Sequence, residues 1–446
     1  MIAIAIFISL YFVFKRIGPA KTLFVILLTF VLFPDGIIKA SDSSRHIDAF
    51  RNLFSNTYLL VTFLSIYGLI WYKYLPIRLR KTYFLILFLI ISPQLFSTLF
   101  SILEKFFGVN ILSRDIGIIG NIFGLISRYV APFGLFPIGY LIVTDENQKS
   151  FFIKKVLPTL SYLGVFLAIY GTLQLFSPYR FIELADTYIY QQFRLTHLSS
   201  RDPNGAVRNL IFPLLASFIL GFILKNKIYN LYFFVILAAI ILTFSRSGWV
   251  SVGLSLVFIF LIIMKNRKQR ILSFVSIVLI YLTFSILYEY RDQIFGYDEY
   301  ESIRVKTVST FEDRIVLWKI GVEALTPLKI IFGNGPFSAQ FYTGIDEGKF
   351  VMTSIHNTYL FYLYELGIFS LLALLLLYYY FLVKYNYLNV NIYGKNNETF
   401  LIFRILSLGL VIFTFFHSFT EPSTVFFVSL SLGFLFGIHY RPNNNY

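Results

Sequence analysis

Long apolar runs separated by short polar segments make up most of this chain and limit what it can fold into. A window of about 20 residues, the length of a membrane-spanning helix, finds about thirteen such runs. Their predicted bounds are 1–14, 19–33, 53–71, 82–103, 118–143, 157–176, 206–224, 228–244, 249–264, 271–288, 355–383, 400–418 and 424–440. A hydrophobic content of 57% and a mean hydropathy of +0.72 exclude an ordinary soluble domain. The sequence predicts an all-α, polytopic integral membrane protein with about 12–13 transmembrane helices.

Basic residues concentrate in alternate loops between these runs. The short loops that carry them contain Lys15, Arg16, Lys21, Lys73, Arg78, Arg80, Lys81, Lys149, Lys154, Lys155, Lys225, Lys227, Lys265, Arg267, Lys268, Arg270, Lys384 and Lys395. Most carboxylates lie in the intervening loops, so the positive-inside rule assigns the basic set to the cytoplasm. We therefore interpret the net charge of +15 as a topology signal, and we predict no nucleic-acid partner.

This topology predicts one transmembrane domain over residues 1–446, because no repeat or soluble domain is recognisable. The loop 177–204, the turn 245–248 and the large loop 289–354 would all be extracytoplasmic. The sequence has no Cys and only five scattered His, so a metal site built from thiolates or clustered imidazoles is not expected. We predict chemistry without a protein-held metal or cofactor.

The large loop 289–354 carries an amphipathic helix near residues 310–325. Its apolar residues recur at helical spacing, namely Phe311, Ile315, Trp318, Val322 and Leu325. Such a helix should lie against the membrane domain and hold the guanidinium of Arg314 near the membrane surface. The alternative is a surface salt bridge between Arg314 and Glu312 or Asp313, with little energetic weight.

A second arginine lies in the four-residue turn between two apolar runs, Ser245-Arg246-Ser247-Gly248. Gly248 is expected to take a tight backbone conformation, after which the next helix starts with free amides and a positive dipole end. That end favours phosphate, and the planar guanidinium of Arg246 can bind two phosphate oxygens. The alternative is an interfacial arginine that reaches towards lipid headgroups.

One histidine opens the apolar run 355–383 on the same predicted face. His356 is followed by Asn357 and Tyr359. An imidazole accepts a proton at neutral pH, whereas the arginines cannot, although a lone interfacial histidine can also be structural. Glu365 lies roughly 13 Å further along the helix, too far for a direct pair with His356. A carboxylate there needs a buried partner, for which Arg128, Arg208 and Arg404 are candidates. Together these residues suggest an enzyme acting on an anionic lipid.

Several segments in order resemble the O-antigen polymerase and O-antigen ligase superfamily. They are 202–204 (Asp-Pro-Asn), 242–249 (Leu-Thr-Phe-Ser-Arg-Ser-Gly-Trp), Arg314 with Trp318, 333–335 (Gly-Asn-Gly), 356–360 (His-Asn-Thr-Tyr-Leu) and 365–367 (Glu-Leu-Gly). The resemblance covers roughly residues 190–385, whereas the amino-terminal helices are similar only in number and hydrophobicity. Each motif is weak alone, and their order on one predicted membrane face makes the set more specific.

The resemblance implies a glycosyltransferase of the bacterial cytoplasmic (inner) membrane, with an architecture similar to the GT-C class. The implied donor is an undecaprenyl-diphosphate-linked oligosaccharide, used at the periplasmic or extracytoplasmic face by an inverting, metal-independent reaction. Arg246 and Arg314 match the essential arginines, which would stabilise the leaving diphosphate, and His356 matches the essential histidine, a general base. Further diphosphate contacts are expected from Ser247, Gly248 and Arg194. Supporting roles are expected for Asn357, Tyr359, Glu365, Arg201 and Asn204.

The motifs do not clearly separate a polymerase from a ligase within the superfamily. Some polymerases carry a glycine eleven positions after a loop arginine, and neither Arg246 nor Arg314 has one here. Gly367 does follow His356 at that interval, a spacing also described in ligases. We favour a polymerase of O-antigen or capsule, because polymerases are the more numerous members, and a chain-length regulator would then be a partner. The alternative is a ligase that completes lipopolysaccharide by transfer to lipid A core.

The residues alone are also compatible with two other classes of membrane protein, a secondary transporter and a lipid flippase. A secondary transporter predicts broken helices, ionisable residues near the bilayer midplane and often an internal repeat. The ionisable residues of interest here gather instead at the external interface. A lipid flippase would also need cations for a diphosphate headgroup, and catalytic turnover distinguishes it from a transferase.

Overall fold

The fold is helical, and its longest apolar helices match a membrane protein. A computed structural model describes residues 2–32, 64–106, 122, 125–176, 203–243, 245–263, 275, 282, 311–335, 340–346, 349–354, 357–379, 381, 398–419 and 426–439. Within these residues, three helical stretches are long and apolar enough to cross a membrane, Glu146–Leu173, Asn204–Ile223 and Glu398–His417. Six shorter apolar helices accompany them. The predicted membrane class is thus supported, while the number of spans stays a prediction.

The helices are numbered here in chain order. The amino-terminal ones are α1 (Ile2–Ile17), α2 (Pro19–Leu32), α3 (Ile77–Phe106), α4 (Leu135–Thr144), α5 (Glu146–Phe151), α6 (Leu157–Phe176), α7 (Pro203–Phe218), α8 (Lys227–Leu242) and α9 (Arg246–Ile263). The carboxy-terminal ones are α10 (Phe311–Glu323), α11 (Pro327–Phe332), α12 (Thr358–Leu366), α13 (Ile368–Tyr379), α14 (Glu398–His417) and α15 (Phe426–His439). Short 3₁₀ or π segments occupy Ile66–Tyr74, Leu125–Val130, Ala131–Gly134, Phe152–Val156 and Ile219–Ile223.

Helices α14 and α15 lie at the centre of the molecule. One hydrophobic cluster joins them to α2, α4 and α6–α9, and a second joins them to α3, α4, α12 and α13. Both helices are buried nearly all round, which fits their continuous apolar sequence. They are antiparallel, because the rings of Phe403 and Phe434 lie 5.0 Å apart and Ser407 donates to the Ser431 carbonyl at 3.4 Å. The two clusters therefore share one central helix pair.

The segment before α12 contains a β-hairpin that the sequence analysis did not predict. Strands β1 (Gln340–Asp346) and β2 (Lys349–Ser354) pair antiparallel, with an irregularity between Tyr342 and Gly344. The hairpin follows α10 and α11 and ends just before the start of α12. It breaks the uniformly helical pattern expected for this chain.

The predicted apolar stripe of α10 contacts α12 through some of its residues. Trp318 and Leu325 pack against Phe361 and Tyr364 of α12. Ile315 and Val322, also assigned to the stripe, are exposed, whereas Leu317 and Gly321 are buried. Helical spacing alone cannot tell which edge of a broad apolar face makes the contact. The contact surface therefore includes only part of the stripe that we predicted.

The single run predicted over 355–383 is broken in two. Helix α12 ends at Leu366, Gly367 has φ +81°, and α13 begins at Ile368. A positive φ is accessible to glycine at little cost. The glycine that follows the Glu-Leu pair therefore divides this run into two helices.

Candidate functional site

The start of α9 is held by serine side chains. Ser245 precedes the helix, and its hydroxyl accepts a hydrogen bond from the Gly248 amide at 3.1 Å. Its own amide donates to the Thr243 hydroxyl at 3.2 Å. A serine that accepts from an amide of the first turn stabilises a helix start by about 0.5–2 kcal/mol. The Ser-Arg-Ser-Gly sequence therefore forms a capped helix start, and Arg246 is the first helical residue.

Asn204 links this helix start to the start of α7. Its side-chain oxygen is hydrogen-bonded by the Ser245 hydroxyl and lies 3.3 Å from the Ser247 hydroxyl oxygen, which also donates. Because both serines donate to the side-chain oxygen of Asn204, its side-chain NH₂ takes no part in these two bonds. The predicted supporting residue Asn204 and the predicted phosphate ligands Ser247 and Gly248 thus share one polar cluster.

Gly248 does not have the tight backbone conformation that was predicted for it. Its φ is not positive and it lies inside the first turn of α9, so no tight turn is formed there. A Cβ at this position would come within 2.7 Å of the Val207 side chain and 2.9 Å of the Ser245 hydroxyl. The residue is small because α7 and α9 approach closely at their starts.

The start of α12 is capped by Asn357, next to His356 in the chain. The Asn357 side-chain oxygen accepts from the amides of Tyr359 at 3.0 Å and Leu360 at 3.1 Å. Its side-chain NH₂ donates to the carbonyl of Phe419 at 3.1 Å. Asn357 is buried, and an asparagine side chain offers both the acceptor and the donor that this position uses. Asparagine therefore both caps α12 and ties it to the end of α14.

Two further bonds join α12 to the end of α14. The amide of Thr358 donates to the Ser418 carbonyl at 2.8 Å, and the hydroxyl of Tyr359 donates to the Phe415 carbonyl at 2.8 Å. The last carbonyls of a helix lack partners within it, and here neighbouring residues satisfy them. The chain that follows His356 is held by main-chain groups of a central helix.

Both helix starts lie at the level of the end of α14. A Cβ at Gly409 of α14 would meet Leu215 of α7 at 2.8 Å and Ile259 of α9 at 3.0 Å. Phe212 of α7 lies 6.3 Å from Phe427, which is in the first turn of α15. Because α15 is antiparallel to α14, the first turn of α15 lies near the end of α14. The contacts of Leu215 and Phe212 therefore show that α7 is antiparallel to α14. The first residues of α7 point towards the last turn of α14. The backbone of Arg246 and the start of α12 therefore belong to one end of the helical bundle.

The other end of α12 holds a fully buried carboxylate. Glu365 is 0% exposed and accepts a hydrogen bond from the hydroxyl of Tyr129 at 2.6 Å. This tyrosine was not among the partners suggested by the sequence. A charged group in a membrane interior needs such a partner, because water cannot solvate it there.

The Gly-Asn-Gly segment packs against the same end of α12. The amides of Asn334 and Gly335 donate to the carbonyls of Tyr364 and Glu365, each at 2.8 Å. The side chain of Asn334 donates a further bond to the Tyr364 carbonyl at 3.2 Å. Two motifs separated by about 30 residues in the sequence thus form one structural unit.

The structure places the remaining predicted site residues unequally. The backbones of Arg246 and Arg314 are helical, at the first residue of α9 and in the first turn of α10, but their side chains lie outside the described set. His356, Arg194 and Arg201 lie outside the described residues altogether. Their convergence in one pocket stays a prediction.

Residues 417–419 were missed by the sequence analysis. His417 is fully buried, and its ring stacks on Phe413 with centroids 5.0 Å apart. The next two residues provide the carbonyls that hold Thr358 and Asn357. The sequence did offer a signal, because His417 lies at the predicted external end of the run 400–418, just as His356 lies at the predicted external end of the run 355–383.

Comparison with known proteins supports the resemblance that the motifs suggested. A family model described as O-antigen ligase matches residues 231–375, from within α8 to within α13. This range includes Arg246, Arg314, His356 and Glu365, and supports the O-antigen ligase and polymerase superfamily. The chain has no significant match among curated proteins, and none among solved structures.

Proposed function

We propose that this chain, which carries an O-antigen ligase domain at residues 231–375, is a lipid-linked glycan polymerase. Members of that family are glycosyltransferase-like enzymes, ligases or polymerases. The proposed enzyme works on the periplasmic face of the bacterial inner membrane. It extends O-antigen or capsule on an undecaprenyl-diphosphate carrier. The observation that carries the proposal is the family match over the two capped helix starts.

In the proposed reaction, a hydroxyl of the terminal sugar on one repeat unit attacks the anomeric carbon of another. A new carbon–oxygen bond forms while the bond to the diphosphate oxygen breaks, and the electron pair leaves with the diphosphate. Attack from the opposite face inverts the anomeric centre. His356 takes the hydroxyl proton, and Arg246 and Arg314 stabilise the charge that develops on the diphosphate.

The start of α9 suits an anionic leaving group. Amides of the first turn and the positive end of the helix dipole point outwards beside Arg246. The Asn204 cluster fixes the orientation of this turn before the substrate arrives. Pre-arranged donors are effective in catalysis because they need not reorganise as charge develops.

The start of α12 suits a base that must stay in one place. Asn357 and Thr358 bind the end of α14 directly, and His356 precedes them in the chain. A base misplaced by about 1 Å can lose about 100-fold in rate. Asn357 and Tyr359 therefore act as positioning residues in the proposed enzyme, and Glu365 supports the opposite end of the same helix.

A ligase is the second candidate, favoured by the description of the matching family and by the His356 to Gly367 spacing. It uses the same donor, and its acceptor is lipid A core. A transporter is favoured by a different observation, the broken run at Gly367 beside the buried Glu365. A transporter leaves the glycosidic and phosphate bonds unchanged.

One assay separates these functions. The purified protein in liposomes receives a synthetic undecaprenyl-diphosphate-linked repeat unit, with or without lipid A core, and the products are separated by size. A ladder of longer glycans without lipid A core supports the polymerase. Product that forms only with lipid A core shows a ligase, and no product from folded protein contradicts both enzymes.

Arginine variants make the assay specific to the site. Arg246→Ala should abolish the ladder, whereas Arg16→Ala, an exposed arginine at the end of α1, should leave it unchanged. Equal loss in both variants would mean that the assay reports folding instead of chemistry.

A further inference from the structure

Helix α11 carries an apolar surface that no other described residue covers. Leu328, Ile330 and Ile331 are 57%, 41% and 39% exposed, although they lie in a helix of six residues. The next residues, Gly333, Asn334 and Gly335, are buried. One side of this segment is therefore packed into the protein, and the other is apolar and open.

The packed side contacts three helices. Helix α11 touches α3, α12 and α13, and α13 is one of the shorter apolar helices. A Cβ at Gly367 would come within 2.1 Å of the Ile331 carbonyl oxygen. Ile331 therefore lies beside the break between α12 and α13.

The depth of that break follows from helix lengths. Helix α12 has nine residues and α13 has twelve, which at ~1.5 Å per residue gives lengths of ~14 Å and ~18 Å. Their sum is close to the ~30 Å hydrocarbon thickness of a bilayer. With the start of α12 at the outer boundary of the hydrocarbon, the break, and Ile331 with it, lies up to ~14 Å inside that boundary.

The backbone amides at the end of α11 can be buried away from water at little cost, because they have hydrogen-bond partners in the protein. Gly333 donates to the Lys329 carbonyl at 2.7 Å, and the amides of Asn334 and Gly335 donate to the end of α12. Irregular backbone at membrane depth is tolerated where protein groups satisfy it. The Gly-Asn-Gly motif supplies the close approach that these bonds need, since a Cβ at Gly333 would meet the Glu365 carbonyl oxygen at 2.4 Å.

We infer that residues 327–335 form a re-entrant segment whose Leu328, Ile330 and Ile331 side chains contact the acyl chains of the outer leaflet. This assigns to the bilayer a part of the loop that the sequence places in the periplasm. Lys329 is half-buried, so its apolar stem lies on the packed side of the segment and not among the exposed side chains. The exposed side of α10 also carries Ile315 and Val322, but it differs from α11 in carrying the charged pair Lys319 and Glu323, 3.8 Å apart.

The inference can be tested by spin labelling, because the chain contains no Cys and needs no background replacements. Single variants Leu328→Cys and Ile331→Cys are labelled with a nitroxide in phosphatidylglycerol and phosphatidylethanolamine liposomes. Glu323→Cys serves as the water-facing control and Leu376→Cys, on the exposed side of α13, as the lipid-facing control. Power saturation compares collisions with oxygen, which partitions into lipid, and with a nickel chelate, which stays in water.

Labels at 328 and 331 should match the label at 376, with oxygen collisions exceeding nickel collisions several-fold. Nickel access equal to that at 323 would overturn the inference, and so would low access to both reagents, which means cover by protein. Should either variant fail to fold, Ile330→Cys labelled with bimane and quenched by lipids brominated in mid-chain gives the same decision. The readout needs no enzymatic turnover, so it stands apart from the proposed function.

Discussion

The starts of α9 and α12 both use an asparagine, and they use it differently. At α9, Asn204 comes from a neighbouring helix and accepts from two serine hydroxyls. At α12, Asn357 belongs to the helix and binds its own amides and the main chain of α14. Hydroxyl rotors can turn to suit a ligand, whereas main-chain carbonyls of a packed helix cannot.

This difference indicates a division of labour between the two helix starts. At the α9 start the Asn204 cluster fixes the backbone and the positive helix end, while the serine hydroxyls are still able to rotate. The α12 start has fixed geometry, as expected for the residue next to a general base. Variants that affect one helix start and spare the other therefore test the comparison directly.

The largest expected effect is at the α12 start itself. His356→Ala should reduce kcat by about 10²–10⁴-fold, because the acceptor hydroxyl loses its base. KM for the lipid-linked donor should change little, and steady-state kinetics in liposomes measures both. His439→Ala at the end of α15 is the matched control, and activity of His356→Ala within about threefold of wild type would remove the imidazole from the mechanism.

The next effect breaks the opposite end of α12. Gly367→Ala places a Cβ 2.1 Å from the Ile331 carbonyl oxygen at φ +81°, so we expect a loss of about 3 kcal/mol or more in stability. Thermal unfolding in detergent measures it. Gly18→Ala has a similar φ of +85°, but its Cβ meets only the flexible Gln148 side chain at 3.3 Å. If Gly367→Ala lost no more stability than Gly18→Ala, the close contact with the Ile331 carbonyl would not be important for stability.

A smaller effect isolates the donor of Asn357. Asn357→Asp keeps the capping oxygen and replaces the NH₂ group that binds the Phe419 carbonyl with a second oxygen. The Phe419 carbonyl then loses its donor and faces a carboxylate oxygen that repels it, so kcat should fall about tenfold. Asn226→Asp, at the exposed cap of α8, should have no effect. If Asn357→Asp kept wild-type kcat, the link to α14 would not position His356.

The smallest expected effect comes from a variant at the α9 start, and it should appear in KM for the lipid-linked donor. Asn204→Asp keeps an acceptor for both serines but adds negative charge where the diphosphate is proposed to bind. KM for the donor should rise several-fold with little change in kcat, and added salt should reduce the difference because it screens the charge. Asn204→Ala is the neutral control. Equal KM in the two variants would place the diphosphate elsewhere.

Much of the class and of the motif set was predictable from the sequence. Apolar runs predicted a helical membrane protein, since span length follows from bilayer thickness. The motifs around Arg246 and His356 led to the superfamily that the family match supports. Asn204 and Ser247 were proposed as site residues, and the structure places them in one cluster.

Other features depended on contacts between distant parts of the chain. The Tyr129 partner of Glu365 is 236 residues away, and no local pattern indicates it. The buried side of α10 was predicted only in part, because several apolar residues compete for one contact surface. The tight backbone conformation predicted for Gly248 was also wrong, since the space at this residue is limited by Val207 on another helix.

The sequence by itself determined that this chain is a helical membrane protein and which residue types stand at its helix ends, because hydrophobicity and capping are local properties. Tertiary structure alone decided that α14 holds the start of α12 and that Gly-Asn-Gly packs against its other end. Those contacts arise when buried backbone groups must find partners in a bilayer, and the choice of partner is made by packing between helices.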